Sequence, residues 1–343
     1  MRTLGAGCVV LLLASAARAD VIADLVALVS RDRFVGHETA LVGERATPVE
    51  QAAAADYIAD QLAADGLVVT RDPVLDSENV IAALPGRGHP EQVFVVGAHF
   101  DSVAGSPGAD DNASGVSALL ELAQVLVGAS FDATIEFVAF GLEEDGLVGS
   151  THYAAQARYE GRDIIGMISL EMIAFTCPKC QFPFGNIDTC FAVSNEGVNA
   201  GTYIGAVANG TSAWMTDAFQ SAAASYVPSL QTEWAVVAGD GSCLPDTRRS
   251  DHAPFWDRGY PAMMLTDTAD YRNKHYHTAT DTFATLDLDF ATDVTRATLA
   301  MVGARAVPVP EPAAPLAGAA GLAALALTRR RRGAPRSRAR SRR

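Results

Sequence analysis

His99, Asp111, Glu144, Glu171 and His277 are residue types that ligate zinc, and each falls at the end of an apolar run or just after one. Two imidazoles and three carboxylates suffice for two cations if one carboxylate is shared, because a carboxylate carries two oxygens. An acid beside the set, Glu143, is left free to move a proton, and another, Asp101, lies two residues beyond His99. Such a set can turn water into a nucleophile near neutral pH and aim it at a peptide carbonyl.

Each segment is weaker alone than in company. Val95-Val96-Gly97-Ala98-His99-Phe100-Asp101-Ser102 is a strand that delivers a histidine. On an extended chain Asp101 shares a side with His99, so it can accept the imidazole's other N–H and fix the tautomer. Gly108-Ala109-Asp110-Asp111-Asn112-Ala113-Ser114-Gly115 enters a helix, where acids are ordinary N-cap residues. A strand-end histidine twelve residues upstream shifts that balance toward a metal, and the flanking glycines allow close backbone approach. Glu143 and Glu144 end a strand at Phe140-Gly141 and point in different directions; alone they read equally well as solvated surface. Glu171 closes the apolar run Ile164–Met172, where a carboxylate is costly without a cation. Lys274-His275-Tyr276-His277-Thr278 supplies the second histidine, with His275 as a rival ligand. His252 reads as hydrogen-bonded within a helix start, and Trp214, Trp234 and Trp256 as core or pocket wall.

The elements that must position these residues alternate. Residues 48–66 predict a helix opened by Pro48, and Leu67–Thr70 and Asn79–Leu84 predict strands, followed by a turn at Pro85–Gly88. Strands follow at Val93–Ala98, Thr134–Gly141, Ile164–Met172, Trp234–Val237 and Ala262–Thr266. Helices are expected over Ser114–Val127, Val148–Ala157, Gly197–Asn209, Thr216–Ala224, Ser250–Arg258 and Phe290–Ala304. The expected fold is α/β: a single globular domain with a mixed, mostly parallel twisted sheet, covered by helices on both faces. Ligands of such sheets gather beyond the carboxyl ends of the strands, where the candidate residues fall.

Both ends of the 343 residues read as addresses. A basic start, the apolar run Val9–Leu13 and Ala17-Arg18-Ala19 predict a signal peptide over residues 1–19. Residues 20–306 are then the globular domain and residues 307–343 a tail. The tail holds Pro310-Glu311-Pro312, a short apolar stretch Ala313–Leu327 and the cluster Arg329–Arg332. It resembles the Pro-Glu-Pro sorting signal that exosortases cleave, which implies export, transient membrane association and release at or beyond the cell surface. Residues 20–306 carry 15 basic and 39 acidic residues, a net charge of −24, which disfavours nucleic acid as a partner. Cys177, Cys180, Cys190 and Cys243 remain after signal removal, an even number that favours disulfides and leaves three pairings open. Cys177-Pro-Lys-Cys180 lacks the second cysteine pair or histidine of a zinc knuckle.

Taken together, the His-x-Asp-Ser, Gly-x-x-Asp, Glu-Glu, Ser-Asp-His and Tyr-His-Thr segments, spread over Val93 to Asp281, resemble one family. It is that of the bacterial secreted di-zinc aminopeptidases, leucyl-aminopeptidase-like enzymes related to glutaminyl cyclases and glutamate carboxypeptidases. The resemblance implies two Zn2+ per chain: His99 and Glu171 on one, Glu144 and His277 on the other, and Asp111 bridging. It further implies Glu143 as general base and later acid, Tyr276 as an oxyanion-stabilising phenol, and Asp251 as a weaker candidate at the substrate end. Peptides with a free N-terminus are the implied substrates; glutaminyl cyclisation and carboxypeptidase or dipeptidase activity are the alternatives. Many members of that family carry Asp where this chain has Glu171, one methylene longer, which bears on coordination and metal preference.

Overall fold

Mostly apolar runs build the middle of the sheet. In the computed structural model, β3 (His89–His99), β4 (Ala133–Phe140), β5 (Asp163–Glu171) and β11 (Ala262–Thr266) run parallel in the order β4-β3-β5-β11. The flanks turn antiparallel. On one side β2 (Ser77–Leu84) pairs with β4, and β1 (Val68–Val74) forms the edge. On the other, β9 (Tyr203–Asn209) joins β11, β10 (Gln231–Val237) runs parallel to β9, and β7 (Phe191–Val193) closes nine strands. A separate pair is formed by β6 (Cys177–Pro183) and β8 (Val198–Gly201).

The structure describes residues 21–183, 190–193 and 198–306, all of them within the compact unit Met1–Val309. The expected signal peptide, the sorting tail and Gly197 lie outside the described residues. No helix among the described residues is long and apolar enough to cross a membrane.

Helices cover both faces. One face carries α1 (21–28), α2 (Arg31–Leu41), α3 (Pro48–Ala64), α4 (Gly115–Leu126), α6 (Ala213–Tyr226) and α8 (Leu288–Ala306), packed through Phe34, Ile58, Leu119, Phe137, Phe219 and Leu299. The other carries α5 (Val148–Glu160) and the short α7 (Ala253–Asp257), with Phe140, Tyr153, Phe255 and Trp256. The strand period of two sends Phe94, Val96 and Ala98 into the first core and Val93 and Val95 into the second. Each fully buried large side chain contributes about 1.5–3 kcal/mol, so both cores hold β3 rigidly up to His99.

Most expected elements are present, and the differences have physical causes. The helix at 48–66 runs Pro48–Ala64 behind a Thr47–Glu50 capping box, a device that stabilises a helix start by about 1 kcal/mol. The segment expected as a helix at 197–209 instead contributes strands β8 and β9. Ala206 and Ala208 favour helix in isolation, but β9 lies between two neighbouring strands and is buried along nearly its whole length, so sheet packing overrides propensity. The helix expected from Ser250 shrinks to Ala253–Asp257, because the Ser250 hydroxyl is engaged elsewhere and does not cap it. The four cysteines form two disulfides, Cys177–Cys180 and Cys190–Cys243.

Candidate metal centre

His99 ends β3 with its ring buried. Its Nε2 lies 3.3 Å from Asp111 Oδ1 and 3.4 Å from Glu171 Oε2, at the end of the neighbouring β5. Asp111 turns its other oxygen, Oδ2, to His277 Nε2 at 3.1 Å, and that nitrogen is also 3.1 Å from Glu144 Oε2. Two donor groups result, His99–Asp111–Glu171 and Asp111–Glu144–His277, each with its ligand atoms within 4.8 Å of one another. Asp111 belongs to both, one oxygen to each. All five residues singled out by type and spacing thus meet at the carboxyl ends of the parallel strands. His275 does not join them: its Nδ1 meets Thr280 Oγ1 at 2.8 Å.

Asp101 ties two of these segments together. Its Oδ1 accepts the Glu143 N–H at 3.1 Å and its Oδ2 accepts the Glu144 N–H at 3.0 Å. Oδ1 also lies 3.3 Å from His99 Nδ1, though without the alignment of a hydrogen bond. The carboxylate therefore fixes the loop after β4 against the end of β3. Tyr276 stacks on the His277 ring, with centroids 3.7 Å apart and planes 19° from parallel. Its hydroxyl accepts a 3.0 Å hydrogen bond from Arg249 Nη2. Asp251 is fully buried, and burial, reinforced by the carboxylates of Glu171 and Asp101, raises its pKa to about 7.

Several residues that hold the centre were not evident from the sequence. The Asp281 carboxylate accepts the N–H groups of Asp110 at 3.0 Å and Asp111 at 3.1 Å. Asn112 donates to Leu170 O at 2.8 Å and accepts from Met172 N at 3.0 Å, binding the Asp111 loop to both neighbours of Glu171. Ser250 donates to Glu171 Oε2 at 2.8 Å. Buried Arg45 donates to five carbonyls, among them Phe100 at 2.6 Å and Gly108 at 2.8 Å, so one guanidinium braces the segments of both His99 and Asp111. Gly108 sits at φ 57, and a Cβ there would lie 2.4 Å from the Asp111 carbonyl oxygen, which only glycine avoids. Asp281 stands four residues after His277, but nothing in that spacing marks a contact across 170 positions.

The electrostatics fit a cation site. Burial, then neighbouring carboxylates, push the Glu143, Glu144 and Glu171 carboxyls up. Burial opposes a charge on His99, yet the acids around it, Glu143 and Glu171 foremost, raise its pKa well above the usual value. Against the same burial, hydrogen bonds to Asp111 and Glu144 raise His277 to about 10. The surrounding carboxylates thus favour positive charge at both imidazoles, as a cation site does. Neither ring nitrogen of His99 has a hydrogen-bond partner, and a cation held by Asp111 and Glu171 would satisfy Nε2, the nitrogen that faces them. Imidazole and carboxylate are a zinc-type donor set.

Known proteins resemble this chain in sequence and in fold. YfbL of Escherichia coli strain K12, an uncharacterized protein, is 31% identical over 248 residues, covering 66% of this chain and 72% of that one. Leucine aminopeptidase 1 of Arthroderma otae is 29% identical over 227 residues, 62% of this chain and 53% of that one; the chain spans about half the length of that relative. Among solved structures, the LapA aminopeptidase of Legionella pneumophila superposes with a TM-score of 0.65 at 16% identity, over 84% of this chain and 75% of that one, a likeness of fold. The sequence model of peptidase family M28 matches residues 79–302, the stretch that carries every ligand candidate, and the chain belongs to that family.

Proposed function

We propose that this protein is an exported aminopeptidase that works with two zinc ions and removes N-terminal residues from peptides. The observation that carries the reading is the bridging geometry of Asp111, whose two oxygens face two separate histidine–carboxylate groups. His99 and Glu171 would hold one ion, Glu144 and His277 the other. Zinc bound there would supply Lewis acidity to a carbonyl oxygen and acidify a water toward neutral pH.

The chain's own residues do the rest. Glu143, held by its backbone N–H on Asp101, takes a proton from the attacking water and returns it to the leaving amine. Burial raises its carboxyl, which suits a group that must take a proton and return it, and positive charge beside it would act in the opposite direction. Asp101 orients the base and lies beside the first histidine. Tyr276 accepts from Arg249, so its own phenolic proton is free to donate to a developing oxyanion. Cleavage at the first residue follows if a free α-amine is received beside the acids of the centre, a step supported by the aminopeptidases among the relatives.

The two disulfides suit an oxidising compartment, in keeping with the signal-like start. Processing by an exosortase-type enzyme at the Pro-Glu-Pro tail would release the domain, and mass analysis of the mature protein should then show loss of residues beyond about Pro312. An intact Arg343 refutes that processing. For the activity, a panel of aminoacyl nitroanilides with free and acetylated N-termini is decisive. Hydrolysis of the free amines alone is expected. Turnover of blocked peptides alone, or only cyclisation of N-terminal glutamine, overturns the reading.

A further inference from the structure

Arg249 and Ser250 are neighbours in the loop between the turn Pro245–Arg248 and α7, and they reach opposite halves of the centre. Ser250 bonds Glu171. Arg249 turns the other way. Its Nη1 donates to Asp270 Oδ1 at 3.0 Å, its Nη2 donates to the Tyr276 hydroxyl at 3.0 Å, and its guanidinium carbon lies 5.5 Å from the Tyr276 ring centre. Tyr276 in turn lies flat against His277. A continuous path therefore runs from an anchored cation, through a phenol, to a candidate ligand.

His277 is the member of the set that most needs such support. Its side chain is 33% accessible, against 1% for His99, and its backbone is left-handed at φ 57. Metal-binding histidines are normally oriented by a hydrogen bond at the second ring nitrogen. Among the described residues Asp101 lies near that nitrogen of His99, but no side chain or carbonyl bonds the second nitrogen of His277. The stacked Tyr276 ring is what sets the imidazole plane, and Arg249 is what holds the ring.

We infer that Arg249 is a positioning residue for the second half of the centre: by clamping Tyr276 it orients His277 and sets the zinc affinity of the His277–Glu144–Asp111 group. The inference rests on the reading that these three residues hold a metal. An Arg–phenol hydrogen bond with an edge anchored on Asp270 needs the planar fork of arginine, so lysine should replace it poorly.

The test is competitive zinc titration of the chelator-stripped, full-length chain against a chromophoric chelator. It compares wild type, Arg249→Met, Arg249→Lys and His277→Ala, with thermal unfolding of each apoprotein alongside. Arg249→Met should weaken one of two sites about tenfold or more and leave the other within twofold. Arg249→Lys should fall between Arg249→Met and wild type. Adding Arg249→Met to His277→Ala should not weaken the surviving site further. Equal weakening of both sites, affinities unchanged within twofold, or an additive loss in the His277→Ala background overturns the inference. Fewer than two zinc ions on the wild type would instead overturn the di-zinc reading itself.

Discussion

His252 gives the cleanest link between this fold and pH. It is fully buried at the start of α7, its Nε2 lies 2.8 Å from Thr247 O, and its ring meets Trp256 edge-on with centroids 4.5 Å apart. The carbonyl accepts, so the proton sits on Nε2. Nδ1 has no partner, and a proton there would be a buried donor with nothing to receive it. Burial, helped by the nearby Arg248 cation, lowers the pKa from 6.5 to about 4. The unfolded chain therefore binds more protons between these values, and stability contributed by His252 is fully present above pH 6.5 and lost as pH falls toward 4. Linkage with these two values gives a loss of about 2 kcal/mol between pH 7.5 and pH 5, and about 3 kcal/mol at the acid limit. Glutamine can donate to the same carbonyl and does not titrate, so His252→Gln isolates the effect. Urea unfolding followed by far-UV circular dichroism, at pH 7.5 and 5.0, should show the wild-type advantage over the variant shrinking by about 2 kcal/mol. An advantage that stays constant within about 0.5 kcal/mol refutes the argument, since other titrations cancel in the difference.

Three further outcomes follow from the supports of the centre. Asp281→Ala removes the acceptor of the Asp110 and Asp111 N–H groups and should weaken zinc binding about 10- to 100-fold, measured against a competing chelator. Gly108→Ala forces a Cβ against the Asp111 carbonyl at positive φ and should cost about 1–3 kcal/mol in denaturant unfolding, with loss of bound metal. Arg45→Met removes five hydrogen bonds that one guanidinium now gives to carbonyls, and should lower stability by about 3 kcal/mol or more while leaving a lower zinc content in the purified protein.

The parts of the molecule legible in the sequence are those written in local pattern. β3, β4, β5 and β11 are mostly apolar because both of their faces are covered, and their ends deliver His99, the Glu143–Glu144 pair and Glu171. Asp111 was ambiguous as one acid at a helix start and became distinctive only through its distance from His99 and the order of the other motifs. What was not legible depends on partners far along the chain. Asp281 meets Asp111 across 170 residues and Arg45 meets Gly108 across 63, and neither contact leaves a periodic trace. β9 is not legible for a related reason: its alanines carry helix propensity, while its strand character comes from the neighbours that bury it. α2 is hidden in the sequence because Arg31, Asp32, His37 and Glu38 interrupt its apolar residues, although Glu38 is itself buried, with its Oε2 bonded by Ser117 at 3.1 Å.

The central claim is that Glu143 moves the proton while five other side chains hold two zinc ions. Glu143→Gln keeps the size and backbone contacts of the residue but cannot accept a proton. Wild type and variant, each assayed for zinc by mass spectrometry and for aminoacyl nitroanilide hydrolysis, separate the two roles in one measurement. Two zinc ions per chain in both proteins, with kcat in the variant lower by about 10²-fold or more, is the expected result. A variant that retains activity within a few-fold, or that loses its zinc together with its activity, contradicts the assignment of Glu143 as the base.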